Sequence, residues 1–190
     1  LPRENCNARA GTRDADENAM HTRFVMLAIA ATALASGAAG AQSVAKLTVS
    51  SPAFTDRSAI PAKYTCDGEG KSPPLAWSRL PLGTQSVAVV VDDPDAPHGT
   101  FVHWILFDVP SNTNALGEGS VPPVAMQGRN GTGQVGWTPP CPPNGTHHYH
   151  FKVYALSSPL TLSQPTADEL VRAARGRVIA QGELVGTYAR

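Results

Sequence analysis

A mainly β fold, a sandwich or an orthogonal pair of sheets with one helix on its edge, is predicted by three features of the chain. Residues 45–50, 85–91, 101–109 and 147–156 alternate in polarity or are rich in β-branched and aromatic side chains, the pattern of strands. Only the segment after Thr166 carries a helix start. Glycine and proline, 17 of each, gather in the stretches between, where they punctuate turns and long loops. Many strands with a single late helix make a layered β domain.

The 190 residues are enough for one domain, and a 42% hydrophobic composition is enough for its core. Its front is read as processing sequence. Met20-His21-Thr22-Arg23 precedes an apolar run over 24–34 and small residues ending in Ala39-Gly40-Ala41, the layout of a secretory signal cleaved before Gln42. That apolar run falls short of the roughly 20 residues a spanning helix needs. Residues 1–19 are polar and lie upstream of Met20, so they read as a misplaced start or translated leader without a fold of its own. The domain is 42–190, and a periplasmic or secreted destination is expected.

Within 42–190, 11 Lys and Arg balance 11 Asp and Glu, so nothing in the overall charge attracts nucleic acid or an anionic membrane face. Any anion binding must be local. Two cysteines remain, Cys66 and Cys141, and in an oxidising compartment they are candidates for a disulfide. Two separate buried thiols are the alternative, since pairing needs Cα atoms within about 7 Å.

Taken in order, 45–50 (AKLTVS) opens the domain as a strand, and 66–74 is loop chemistry whose glycines and prolines forbid a helix. Leu75-Ala76-Trp77 is a short strand, 85–91 a strand buried on both faces, and 101–109 the next strand. Residues 111–146 form a long Gly-, Pro- and Asn-rich loop with Trp137 as its large apolar anchor, a length that points to function. After the strand at 147–156, Thr166 and Glu169 form a capping box for a helix carrying Leu170, Val171, Ala173, Ala174 and Val178, with Gly182 placed to end it. Leu184 to Tyr188 closes the chain as a short strand.

The chemistry gathers around VVVDDPDAPHGTFVHW, residues 89–104. A strand delivers Asp93 and Asp95 into a turn stiffened by Pro94 and Pro97, and the next strand returns with His103. By period-two geometry Phe101, His103, Ile105 and Phe107 share one face, and His147, Tyr149, Phe151 and Val153 another, leaving His148, His150 and Lys152 solvated. An inward-facing His or Tyr must find a partner, the cheapest being each other, a carboxylate or a bound anion. Backbone carbonyls alone could also satisfy either histidine. Asp95 reads as a turn residue.

These motifs, with His103-Trp104, Gly136-Trp137, Cys141-Pro142-Pro143-Asn144-Gly145-Thr146-His147-His148-Tyr149 and Leu184-Val185-Gly186-Thr187-Tyr188, resemble the phosphatidylethanolamine-binding protein family, and most its bacterial Raf-kinase-inhibitor-like branch, from about residue 47 to 190. The resemblance implies two antiparallel sheets and a small pocket for phosphate-like anions or phospholipid headgroups. Matched residue by residue, Asp93, His103, His147 and Tyr149 are pocket residues, with Pro97 and Pro142 on the rim. Trp137 and Pro139 stand where the pattern has Tyr and Gly; Pro139 should redirect the rim and Trp137 narrow or cover the mouth. In such a pocket neutral imidazole N–H groups and the Tyr149 hydroxyl donate to the anion, while Asp93 fixes a histidine tautomer.

The function expected is therefore non-enzymatic binding of a small anionic or phosphorylated ligand, without a cofactor, and with membrane contact only through lipid headgroups. Inhibition of a protease or other protein partner is the alternative. A hydrolase lacks its nucleophile, because no G-x-S-x-G elbow is present. A zinc site of Asp93, His103 and His147 lacks any closely spaced ligand motif.

Overall fold

A computed structural model of the chain describes residues 44–190. The leader and signal segments read from the sequence lie outside them. The described elements are β1 (Ala45–Lys46), β2 (Val49–Ser50), β3 (Ser58–Ala59), β4 (Leu75–Trp77), β5 (Ser86–Asp93), β6 (Phe101–Pro110), β7 (Ala115–Leu116), β8 (Met126–Gln127), β9 (Thr146–Leu156), α1 (Ala167–Ala174) and β10 (Val178–Ala189). One 3-10 turn, Ala62–Tyr64, precedes the 66–74 loop. No helix among the described residues is long and apolar enough to cross a membrane.

The elements form two sheets. The larger runs β1-β10-β9-β5-β6-β8 with β3 also on β10, and the smaller runs β2-β4-β7. Every pairing among the long strands is antiparallel, as expected, but β1 and β3 join β10 in parallel. The strand expected over 45–50 is divided: β1 pairs Ala45 with Ala180 in the large sheet, and after two intervening residues β2 pairs Val49 with Trp77 in the small one. The chain thus stitches the two layers together, with buried Leu47 at the crossing.

β5 is buried along its whole length. Val87, Val89 and Val91 face the small sheet with Trp104, Leu106, Phe151, Val153, Leu75 and Trp77. Ala88 and Val90 face the opposite way, where Ile105, Phe107 and Leu156 pack on Leu170 and Ala174 of α1. Each fully buried valine of this kind contributes about 1.5 kcal/mol or more. Thr166 caps α1 as expected, with Glu169 reaching back to its backbone N–H at 2.8 Å.

Two expectations are corrected. The helix does not extend to Gly182: it ends at Ala174, and Gly176 (φ +72) turns the chain so that Val178 starts β10 opposite Leu156. The β-branched pair Val178-Ile179 has a place in the sheet, and that outweighs the helical spacing. Gly182 lies inside β10, where an added Cβ would stand 2.3 Å from the Leu47 carbonyl oxygen, so glycine there admits the crossing chain. The 111–146 loop also contains two short strands, β7 and β8, too brief to show a period.

Candidate functional site

β5 ends in two carboxylates pointing to opposite faces. Asp92 meets the Lys152 ammonium at 2.6 and 2.9 Å on the helix side. Asp93 turns to the inter-sheet side, where its Oδ1 accepts the Asp95 backbone N–H at 2.9 Å and its Oδ2 lies 2.7 Å from His147 Nδ1. Asp95 takes both the backbone N–H and Nδ1 of His148, at 2.8 and 2.7 Å. His148 thereby holds the Asp95 carboxyl below its usual range. The proline-stiffened turn is thus buckled twice to the start of β9, and Asp95 is more than a turn residue.

His103 reaches the same place by an irregularity. Opposite β5, Val91 pairs with Trp104 and Asp92 with Val102, so His103 is the extra residue of a bulge. The bulge puts His103 and Trp104 on the inter-sheet side together, and separates His103 from Ile105 and Phe107, which face α1. The shared face expected for those residues is therefore broken. His103 Nδ1 lies 2.7 Å from the Thr138 carbonyl, and the Thr138 N–H donates back to the His103 carbonyl at 2.9 Å. Buried Asn130 fixes that segment, donating to the Gly136 carbonyl and to Thr138 Oγ1 at 3.0 and 2.8 Å. Burial pushes the His103 pKa down, against the opposing pull of the Thr138 carbonyl and of Asp93.

On β9 the expected period holds: His147, Tyr149, Phe151 and Val153 all face inward. Tyr149 stands edge-on to His103, ring centroids 5.2 Å apart. Its hydroxyl is buried and has no hydrogen-bond partner among the described residues. Such an orphan costs about 1–3 kcal/mol. Burial, followed by the Asp93 and Asp95 charges, raises its pKa.

Asp93, Pro97, His103, Pro142, His147 and Tyr149 all line one cleft of about 200 Å³. Phe101, Thr138, Pro139 and Cys141 complete its wall. Thr138 acts through a main-chain carbonyl, a role no side-chain pattern announces. Cys141 is bonded to Cys66, with Cα atoms 5.4 Å apart, which decides between the bridge and the separate thiols. The Arg190 guanidinium sits on that bridge, 3.2 Å from Cys141 Sγ, and pairs with Asp67, which also accepts the Tyr188 hydroxyl.

The two departures noted in the sequence fall differently. Pro139 does line the cleft, beside Gly70. Trp137 does not cover the mouth: it packs behind His103 against Trp104 and Phe151, and its indole N–H donates to the Gly70 carbonyl at 3.0 Å. His148 and His150 are not merely solvated, since His148 pairs with Asp95 and His150 with Glu183 at 2.8 Å. Among the described residues no group of three His, Cys, Asp or Glu side chains is arranged to hold a metal ion.

The donor pattern needs revision as well. A carbonyl only accepts, so His103 carries its proton on Nδ1; an ionised Asp93 likewise takes the Nδ1 proton of His147. Neither Nε2 has a protein partner among the described residues. In neutral form both histidines therefore offer a lone pair, where the sequence reading had placed an N–H donor.

Two β-sheets sharing a core, with one proline-rimmed cleft of histidine, tyrosine and carboxylate at the end of the central strands, define the class of molecule. The phosphatidylethanolamine-binding protein family model matches residues 50–189, and the chain belongs to that family. A UPF0098 protein of Pyrococcus horikoshii is 47% identical over 161 residues, covering 80% of each chain. One from Methanothermobacter thermautotrophicus is 42% identical over 144 residues, covering 73% of this chain and 95% of its own. Among solved structures, a phosphatidylethanolamine-binding protein homologue of Chlamydia trachomatis superposes with a TM-score of 0.74 at 38% identity, covering 76% of this chain and 98% of that one. YbcL of E. coli gives 0.71 at 32% identity, covering 77% and 99%.

Proposed function

We propose that the protein is a non-enzymatic binding module, exported from the cytoplasm, that takes a small oxyanion or phosphorylated ligand in this cleft. The observation that carries the reading is the orphan Tyr149 hydroxyl beside two imidazole edges without protein partners. A buried polar group left without a partner, as the Tyr149 hydroxyl is, marks a place where another molecule completes the hydrogen bonding. The size of the cleft suits a phosphate or a small headgroup.

Recognition without turnover is the reading that the make-up of the wall supports. No serine lines the cleft, the Thr138 hydroxyl is held by Asn130, and the sulfur of Cys141 is bonded. Nucleophilic catalysis needs an activated Oγ or thiolate beside its base. Export rests on the 20–41 segment and agrees with a disulfide, which persists in oxidising compartments. Titrating inorganic phosphate while following the ring resonances of His103 and His147 tests the binding reading. Both should move saturably; if neither moves at saturating phosphate, the cleft is not the site.

A further inference from the structure

The hydrogen-bond polarity of the cleft narrows its ligand further than its shape does. With both Nδ1 protons given to Thr138 and Asp93, the neutral site offers two Nε2 acceptors and one hydroxyl, that of Tyr149. No lysine or arginine is among the residues lining it. The charged groups of β5, of the turn at Asp95 and of the end of β10 are each engaged by a protein partner. On β5, Asp92 is paired with Lys152 and Asp93 is bonded to His147. In the turn, Asp95 is taken by His148. On β10, Tyr188 lies opposite His147 and gives its hydroxyl to Asp67, while Arg190 is held by the same Asp67 at the disulfide.

A bare dianion entering this cleft would meet the Asp93 carboxylate and two lone pairs, with a single hydroxyl to receive it. An oxyanion that keeps one acidic proton reverses the balance. Its O–H donates to an imidazole Nε2, its charged oxygens accept from Tyr149, and its lower charge is repelled less by Asp93. We propose that the cleft selects oxyanions carrying an acidic proton, inorganic phosphate and phosphate monoesters as their monoanions, over sulfate and phosphate diesters. This rests on the anion-binding reading of the site and adds the protonation state of its ligand.

Monoesters hold that proton up to a second pKa of about 6, whereas diesters and sulfate have none to offer near neutrality. The proposal therefore separates a free phosphorylated headgroup, a monoester, from the same headgroup still attached to its glycerol, a diester. Where the ligand brings no proton, an imidazole must supply one, and at His103 the burial that depresses its pKa opposes this.

Calorimetric titration of the protein at pH 6.0 and 8.0 tests it with four probes: inorganic phosphate, sulfate, O-phosphoethanolamine and glycerophosphoethanolamine. Sulfate matches phosphate in size, so it separates the proton from the fit. At pH 6.0 phosphate and O-phosphoethanolamine should each bind at least about tenfold tighter than sulfate and glycerophosphoethanolamine. Their affinity should fall about tenfold for each pH unit above the ligand's pKa. Sulfate binding as tightly as phosphate, or phosphate affinity unchanged from pH 6.0 to 8.0, overturns the selection while leaving anion binding in place. If none of the four binds at either pH, the anion reading falls, and the selection with it.

Discussion

Asp93 Oδ2 and His147 Nδ1 stand 2.7 Å apart, their side chains only 5% and 8% exposed. The pair joins the end of β5 to the start of β9, 54 residues on. A hydrogen bond to a charged group out of water is stronger than its exposed counterpart, and losing its acceptor leaves the imidazole N–H unsatisfied. Asp93→Ala should therefore destabilise the fold by about 2 kcal/mol, read as a lower urea midpoint. Asp95→Ala, which removes a contact to half-exposed His148, should cost less than half as much. Equal losses in the two variants would show that the burial of the Asp93 pair adds nothing.

The His103 ring gives the stability a pH dependence of defined sign. Burial keeps its folded-state pKa below the ordinary value of about 6.5. Between those two values the unfolded chain binds more protons, so stability rises with pH there. The contribution is fully present above about pH 6.5 and is lost as the pH falls through the folded-state value. Urea midpoints measured from pH 7.5 to 5.0 should decline, and His103→Gln should decline less steeply because one titrating group is gone. Identical slopes in the two proteins would assign the acid sensitivity to other residues.

The Cys66–Cys141 bond ties the 66–74 loop to the rim of the cleft across 75 residues of chain. Closing a loop of that length in the unfolded ensemble is worth about 4 kcal/mol in the chain-entropy model. Because Cys141 also forms part of the wall, its release should loosen the adjoining segment that holds His103 through Thr138. The Cys66→Ser, Cys141→Ser double variant should lower the urea midpoint strongly and broaden the His103 ring resonance. A sharp, unshifted resonance would show that Asn130 and Trp137 hold the rim without the bridge.

The long strands and most of the residues that line the cleft were legible because they rest on local patterns. The period of two placed His147 and Tyr149 on the inward face of β9, and the motif carrying Asp93 and Pro97 is a contiguous turn. What escaped depends on contacts far along the chain. The β6 bulge that turns His103 away from Ile105 is a matter of register with β5 and leaves no trace in composition. The Thr138 carbonyl is main chain, common to every residue type. The division of 45–50 between two sheets is set by which partner each half meets. Helical spacing through Val178 was real, yet pairing with Leu156 of β9 places that residue in the sheet.

Gly182 gives this last point a quantitative test. As the end of a helix it would tolerate alanine at modest cost, because its role there would be conformational. As a residue inside β10 it lies beneath the chain crossing between the sheets, and the new Cβ would stand 2.3 Å from the Leu47 carbonyl oxygen and 2.9 Å from its carbon. Both are backbone atoms, which cannot swing aside as a flexible side chain does. Relief requires β1 to lift from β10, and with it the hydrogen bond from the Leu47 N–H to the Gln181 carbonyl at 2.7 Å. Gly182→Ala should destabilise by at least about 2 kcal/mol, the range of core overpacking. Gly176→Ala, whose added Cβ meets nothing but whose φ of +72 is strained, should cost about 1 kcal/mol. Amide exchange separates the two mechanisms: only Gly182→Ala should speed exchange at Leu47, and protection there unchanged from the parent would place the strain elsewhere.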